Sequence, residues 1–287
     1  MIQYFDKIDN IKTEKPSKEC TICPRQCKVD RITVRGSCKA LWNPVVASVM
    51  VHFGEETPIS GKNGSGTVFF AGCNLNCVFC QNHEISQNVI GSEMTPRELA
   101  KTFMELEKKG VHNINLVTPS HFVPQIVEAI KTAKSEGIKI PFIYNSSGYD
   151  AISSLRLMEG FVDIYMPDLK YSTDDLGQRY SNVPDYFSVA SQAIMEMYRQ
   201  VGAPLNRDGI MQKGLLIRHL LLPGLSEDSI AVLDWIKANT PMASISLLAQ
   251  YSPVYRAGEC KEINRFLMAY EVHSVKSYLK KIGLIKI

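Results

Sequence analysis

Residues 66–84 read GTVFFAGCNLNCVFCQNHE, and the rest of the chain is organised around them. The apolar run Thr67 to Ala71 has the make-up of a buried strand. It is followed at once by Cys73, Cys77 and Cys80, spaced Cys-x3-Cys-x2-Cys. Three thiolates so close together can fold around one face of a cubane iron–sulfur cluster, which ordinarily takes four cysteines. An iron left without a protein ligand is open to a substrate, much as a catalytic zinc keeps one position open. The alternatives for this stretch are a structural zinc knuckle and three buried core cysteines, although zinc prefers four ligands, usually in paired knuckles.

Composition sets the frame. The chain has 287 residues, 45% hydrophobic and 21% charged, which suits one large domain with a small appendage. A net charge of +3 is too small to argue for nucleic acid or an acidic membrane surface. No segment approaches the ~18 uninterrupted apolar residues that a bilayer span needs. The first twenty residues, with Asp6, Lys7, Asp9 and Asn10, lack the apolar core of a signal peptide, so the expected location is the cytoplasm. Seven of the eight cysteines fall in two tight clusters with metal-ligand spacing, which fits a reducing compartment better than disulfides.

The second cluster lies upstream, after a polar lead-in over residues 1 to about 19. It runs Cys20-Thr-Ile-Cys23-Pro-Arg-Gln-Cys27, with Cys38 further on, and Pro24 and Gly36 turn the backbone. Four cysteines so placed can close completely around a metal, either a structural Zn²⁺ or an auxiliary iron–sulfur cluster. A third reading is that only some of these thiols bind anything. Between the clusters, Val45 to Val51 reads as a strand. Gly61, Gly64 and Gly66 lack the lysine and following helix of a phosphate loop, so they are expected to make a turn into the next strand.

Downstream the chain alternates strand and helix. Thr95-Pro96-x-Glu98 is a capping box, and Leu99, Phe103 and Leu106 share one helix face before Gly110. Strands are expected at 113–117, 140–144, 161–166, 214–222 and 243–248, with the run from Thr67 as the first. Helices are expected near 126–137, 153–158 and 185–201, then one capped by Ser226, and a closing helix in the last forty residues. Six near-continuous apolar strands with intervening amphipathic helices predict an α/β fold, a partial (βα)6 TIM barrel with a parallel sheet covered on its outer face. The expected division is an N-terminal segment with the four-cysteine module, 1–66, and a barrel, 67–287.

The triplet, with Phe79 immediately before its last cysteine, resembles the cluster motif of the radical S-adenosylmethionine (SAM) superfamily. Further motifs, Met166-Pro-Asp-Leu-Lys170 and Ile217-Arg218-His-Leu with Leu222-Pro-Gly224, make the chain similar to the branch related to pyruvate formate-lyase activating enzyme. The resemblance implies a [4Fe–4S] cluster on Cys73, Cys77 and Cys80, with SAM chelating the open iron. One electron from a reductant such as flavodoxin or ferredoxin then splits the sulfonium and releases a 5′-deoxyadenosyl radical. It also implies that Phe79 rests near the adenine and that Asn145, Ser146, Met166 and Asp168 occupy the places where the activating enzyme holds a monovalent cation. The first of those positions is an acid in the family and an amide here, which puts the cation in doubt. Arg218, aimed into the barrel by period-two alternation, needs an anion, and the SAM carboxylate would be one.

The usual glycine-glycine-glutamate segment is replaced by Thr118-Pro-Ser-His121, leaving Thr118 or Ser120 as an oxygen acceptor for the SAM amino group. His83 is expected in a supporting or surface role, His121 and Tyr251 in substrate or packing roles, and Cys260 as a plain thiol. The closest implied activity is hydrogen abstraction from a glycine of a partner protein. A small molecule or peptide substrate is the alternative among enzymes. A non-catalytic iron–sulfur, zinc or electron-transfer protein is the alternative outside them.

Overall fold

The computed structural model describes residues 18–287, so most of the lead-in expected over residues 1 to about 19 lies outside the described residues. In chain order the elements begin with β1 (Val45–His52), α1 (Thr57–Ser60), β2 (Ser65–Phe70), α2 (His83–Asn88), β3 (Ser92–Glu93), α3 (Pro96–Lys108), β4 (Ile114–Val117) and α4 (Val123–Ser135). They continue with β5 (Phe142–Ser146), α5 (Ile152–Met158), β6 (Ile164–Pro167), α6 (Asp174–Ser181), α7 (Tyr186–Val201) and β7 (Leu205–Arg207). Then come β8 (Ile210–Leu220), α8 (Ser226–Asn239), β9 (Ser244–Leu248), α9 (Ala269–Ile282) and β10 (Ile285–Lys286).

Six strands, β2, β4, β5, β6, β8 and β9, lie side by side in that order and all run parallel, as a partial (βα)6 barrel requires. Antiparallel β1 widens the β2 edge and β3 pairs in turn with β1, while β10 extends the other edge in parallel with β9. The sheet does not close. Successive side chains of a strand point to opposite faces, and the two sets here have separate partners. Val68, Phe70, Leu116, Phe142 and Ile217 join the large core beneath the helices. Ile143, Ile164, Met166 and Leu216 meet inside the barrel with Met211 and with Ile59 of α1. Because His52 pairs with Ser65 at the start of β2, the chain leaves β1 at the bottom of the barrel, and α1 plugs it there.

α3 starts at the expected capping box. The Glu98 N–H donates to Thr95 Oγ1, and the Glu98 carboxylate accepts the Thr95 N–H at 2.8 Å. Elsewhere the boundaries move. The strand expected at 140–144 is β5, two residues later, because Pro141 has no N–H for the ladder. The strand expected at 161–166 starts at Ile164, after the Asp163 carboxylate has turned back to accept the Phe142 N–H. The strand expected from Gly214 starts at Ile210, extended by a hairpin with β7. Its two-residue turn is Asp208-Gly209, both left-handed (φ 52° and 77°), the dipeptide that suits such a turn. Ser226 is the first residue of α8 and Leu225 the cap, with no side-chain cap bond. The glycines at 61 and 64 do turn the chain, but only after the short helix α1.

Residues 18–44 carry no helix or strand and are pinned to the barrel by side chains. Arg25 donates to the carbonyls of Asn74 (2.8 Å) and Asn182 (2.7 Å), and Ser154 Oγ donates to that of Ile22 at 2.5 Å. Two glycines permit close approaches at the mouth of the barrel. A Cβ on Gly72 (φ +84°) would stand 2.6 Å from the Cys38 carbonyl oxygen, and one on Gly148 (φ +78°) 2.2 Å from that of Asp168. Gly110, at a matching φ of +80°, has nothing within 4 Å of such an atom.

The pair Gly148 and Gly110 therefore separates steric contact from backbone strain. Gly110→Ala is expected to cost about 1 kcal/mol, the strain of placing alanine at positive φ. Gly148→Ala should cost at least about 2 kcal/mol more, since β5 and β6 must part at the barrel mouth. Urea unfolding of both variants checks this, and equal losses would refute the close approach.

Candidate functional site

The parallel strands deliver their C-terminal ends to one face, where βα barrels keep their chemistry. β2 arrives first, and Gly72 turns the chain into the loop of Cys73, Cys77 and Cys80. That loop is gripped from several sides by backbone bonds. The Cys73 N–H donates to Cys38 O (3.3 Å), Asn76 N–H to Ser181 O (3.1 Å) and Val78 N–H to Tyr180 O (2.9 Å). The Asn74 amide donates to Tyr149 O at 2.7 Å.

All three thiols are free of disulfides. Each has a polar neighbour at its sulfur: the Leu75 N–H donates to Cys73 Sγ (3.4 Å), Ser181 Oγ lies 3.0 Å from Cys77 Sγ, and Ser86 Oγ 3.5 Å from Cys80 Sγ. Burial raises the Cys73 thiol, and proximity to Cys77 and Cys80 raises it further. Burial also raises Cys77, against the pull of the Lys170 ammonium.

Lys170 was not singled out from the sequence, yet it is the cation of this site. Its Nζ lies 2.5 Å from Asp168 Oδ2. Burial works against its charge, but Asp168 and Cys77 outweigh that and its pKa is raised. Asp168 stands at the end of β6, bridged to Arg218 on β8, and its N–H donates to Ser146 O at 2.9 Å. Asp168, Ser146 and Arg218 therefore share one level of the barrel mouth, with Asn145 one step below Ser146 on β5.

Arg218 points inward as expected, and its anion is supplied by the protein. Its Nε donates to Glu56 Oε1 (2.8 Å) and its Nη2 to Glu56 Oε2 (2.6 Å) and to Glu55 Oε2. Glu55 in turn accepts the Asn115 amide at 2.9 Å. Burial opposes the Glu56 charge, but the guanidinium beside it wins and holds the carboxyl below its ordinary range. Burial likewise opposes the Arg218 charge, and Glu56 and Glu55 keep its pKa raised. The two glutamates come from the loop between β1 and α1. Their sequence signal was the adjacent Glu55-Glu56 pair before the turn glycines, which nothing local ties to a strand more than 160 residues away.

Asn145 is an amide where the resembling family carries an acid, and an acid reaches the neighbouring residue by another route. Asp150, on the loop after β5, accepts Ser146 Oγ at 2.6 Å and Tyr144 OH at 2.8 Å. Burial raises its carboxyl, opposed by hydrogen bonds from Ser120, Ser146 and Tyr144. Ser120 lies beside Asp150 and Tyr144, and Thr118 is the other expected oxygen. Thr118 sits at φ +60°, strained for a β-branched residue, at the end of β4.

Phe79 is buried and meets Tyr251 edge-on, with ring centroids 5.9 Å apart. His121 is buried away from the site, its Nε2 on the Ala71 carbonyl at 2.9 Å. Burial and the nearby Arg31 push it down to about 3, so it is neutral and structural. His83 stacks on Tyr255 at 4.5 Å. Cys20, Cys23 and Cys38 are buried and Cys27 half-buried, all four free of disulfides. Burial pushes the Cys23 thiol up to about 12.

Among the described residues no group of three or more His, Cys, Asp or Glu side chains is arranged to hold a single ion. A cubane distributes its thiolates over different irons and asks for a wider spacing. Three further observations fit a bound polar group at the barrel mouth. The thiols there are free, the half-buried cation Lys170 stands beside them, and the buried Asn76 Oδ1, Ser147 Oγ and Asn115 Oδ1 lack hydrogen-bond partners.

Comparison with known proteins agrees with this arrangement. Over 275 residues the chain is 30% identical to the uncharacterized protein MJ0674 of Methanocaldococcus jannaschii, covering 93% of this chain and 76% of that one. Its fold is similar to that of SuiB of Streptococcus suis, solved bound to S-adenosylmethionine (TM-score 0.53) and bound to the precursor peptide SuiA (TM-score 0.54), at 13% identity in both. The match covers 75% of this chain and a little under half of SuiB, 46% to 47%. A domain of a pyruvate-formate lyase-activating enzyme from Bacteroides vulgatus is more distant, at a TM-score of 0.43. No helix among the described residues is long and apolar enough to cross a membrane. The model of the radical SAM superfamily matches residues 67–236, from within β2 to within α8, and the chain belongs to that superfamily.

Proposed function

We propose that the protein is a radical SAM enzyme that abstracts hydrogen from a protein or peptide, in the manner of an activating enzyme. The observation that carries this is the placement of three free cysteines at the end of β2, beside the strand ends bearing Asp168 and Arg218. Cys73, Cys77 and Cys80 hold the [4Fe–4S] cluster, and Phe79, Asn145, Ser146, Asp168 and Arg218 form the SAM pocket. Bound there, the two groups supply one-electron cleavage of the sulfonium and so a carbon-centred radical that takes a hydrogen atom. The electron comes from a reductant such as flavodoxin or ferredoxin.

The chain's own residues set the conditions. Lys170 brings a positive charge beside Cys77, and Ser181 and the Leu75 N–H lie within hydrogen-bonding reach of the sulfurs, so the electron density of the thiolates is tuned from outside. Phe79 and Tyr251 offer an aromatic wall against which an adenine can lie dry. Glu55, Glu56 and Asp168 against Arg218 and Lys170 are three carboxylates and two cations, which leaves one net negative charge. That complements SAM, whose sulfonium and ammonium outweigh its carboxylate.

The preference for a polypeptide substrate rests on the mouth of the barrel. The segment after β9 exposes Tyr255, Phe266, Met268 and Tyr270, two of them at 66%. Exposed apolar groups beside an unclosed sheet suit an extended chain. SuiB, which shares the fold, has been solved with a precursor peptide. The division into an N-terminal segment, 1–66, and a barrel, 67–287, belongs to this proposal, with β1 as the strap between them.

Three measurements test the reading. Cys73→Ser, Cys77→Ser or Cys80→Ser should each abolish 5′-deoxyadenosine formation after anaerobic reconstitution with iron and sulfide. Cleavage that survives in the triple variant would falsify it. Arg218→Ala should weaken SAM binding by about tenfold or more, because it strips Glu55 and Glu56 of their partner and disorders the pocket wall that Arg218 shares with Asp168. An unchanged Kd removes Arg218 from the pocket. Finally, SAM cleavage should quicken when the macromolecular fraction of a cell extract is added, with deuterium moving from a labelled polypeptide into 5′-deoxyadenosine. Acceleration by the small-molecule fraction alone would shift the substrate to that class.

A further inference from the structure

We propose that Cys20, Cys23, Cys27 and Cys38 form a closed tetrathiolate site for one zinc ion, and that the ion's work is to clamp residues 18–44 against the loop of Cys73, Cys77 and Cys80. The ion would hold the segment in this way whatever reaction the barrel performs.

The four cysteines are gathered by turns whose backbone already addresses their sulfurs. The N–H groups of Arg25, Val29 and Ala40 each lie near the Sγ two residues earlier, on Cys23, Cys27 and Cys38, and the Ser37 N–H lies near that of Cys27 as well. Left-handed residues shape these turns at Gln26, Lys28 and Lys39, with φ of 38°, 54° and 66°. A neutral thiol is a weak acceptor, so this supply of donors suits thiolates, the form that binds metal.

A buried cation makes the same demand. Arg31 is 1% exposed; its Nη groups donate to the carbonyls of His121 and Leu41, and its Nε has no hydrogen-bond partner. A Cβ on Gly36 would lie 3.6 Å from Arg31 Cδ, 3.3 Å from Cys27 Sγ and 3.4 Å from Cys38 Sγ, so the guanidinium's stem and two of the sulfurs converge on one spot. A buried guanidinium calls for negative charge nearby, and zinc with four thiolates carries two negative charges.

The spacing favours one ion over a cluster. The Cys20 thiol is within hydrogen-bonding reach of Cys27, whereas a cubane spreads its thiolates over different irons. As they stand, the side chains do not surround a common point, so the ion has to draw them inward, as structural zinc does when binding completes a fold.

What the clamp would hold is visible in the hydrogen bonds. Cys38 O accepts the Cys73 N–H at 3.3 Å. Arg31 reaches His121 O, while His121 Nε2 holds the carbonyl of Ala71, two residues before Cys73. Arg25, between Cys23 and Cys27, holds Asn74 O at 2.8 Å. Ligands of the two cysteine clusters are thus one hydrogen bond apart.

The full-length Cys73→Ala/Cys77→Ala/Cys80→Ala variant, purified anaerobically from zinc-supplemented medium, isolates the site. We expect about one zinc per chain with four sulfurs at about 2.3 Å in X-ray absorption. About four irons per chain, or no metal, overturns the proposal. Adding Cys20→Ser and Cys23→Ser should remove the zinc. Because those changes can unfold the segment, the triple variant, whose thiols are the four ligands and Cys260, is also titrated with a mercurial while a chromophoric chelator reports zinc release. Release complete after about four thiols supports a tetrathiolate, and zinc retained beyond that point contradicts it. In the triple variant, stripping zinc should speed amide exchange across residues 70–82 at least tenfold, and unchanged exchange removes the clamp. None of these readouts involves SAM cleavage, so failure here leaves the proposed reaction standing, and the reverse also holds.

Discussion

A guanidinium cannot be sealed inside a barrel without negative charge close by, and much of this architecture can be traced to how Arg218 is satisfied. Its two carboxylates come from the loop that leaves β1 at the bottom of the barrel. For that loop to reach the interior, β1 must run antiparallel to β2 and hand the chain under the sheet, where Ile59 of α1 closes the apolar plug. The interior is therefore layered. Aliphatic side chains seal the bottom, Glu55, Glu56 and Asn115 form a charged and amide layer above, and the Arg218 side chain meets that layer from the level of Asp168, where Lys170 and the cysteine loop top the barrel. Removing the arginine would leave two carboxylates facing each other across a dry space.

The top of the barrel is organised by a second economy of contacts. The cysteine loop takes its hydrogen bonds from four separate regions: Cys38 before β1, Tyr180 and Ser181 at the end of α6, Tyr149 after β5, and Arg256 after β9. A loop tied to so many elements is rigid without regular structure of its own, which is what a site holding a group at fixed orientation requires. The same economy explains Gly72 and Gly148. Each lets one backbone lie against the carbonyl of another, and a single methyl group at either place would separate two of the elements that frame the mouth.

The repeating scaffold was legible in the chain because it is local. Apolar strands, a capping box and amphipathic helix faces write themselves in consecutive residues, and six parallel strands followed from them. The cysteine triplet was legible for the same reason. Edges and partners were less so. α6 is short and polar, with Asp174, Asp175 and Gly177 in its eight residues, and it reads as loop until its last two residues are seen holding the cysteine loop. Lys170 stood in the sequence only as the last residue of Met166-Pro-Asp-Leu-Lys170, because sequence cannot show that its ammonium lies beside both Asp168 and Cys77. Glu55, Glu56 and Asp150 were passed over since their partners, on β8 and at the end of β5, are set by tertiary packing. The Asp208-Gly209 hairpin is different: its signal was present in two consecutive residues.

An unclosed sheet keeps two edges, and open edges invite pairing with other chains. Here β3 and β10 are only two residues long, and each carries a charge, Glu93 on one and Lys286 on the other. Each covers only two residues of its neighbour, Val45 and Val46 of β1 and Ser244 and Ile245 of β9. Among the described residues the charged outer strands thus mark the ends of the sheet without covering them, and six residues of β1 and three of β9 keep a free outer side.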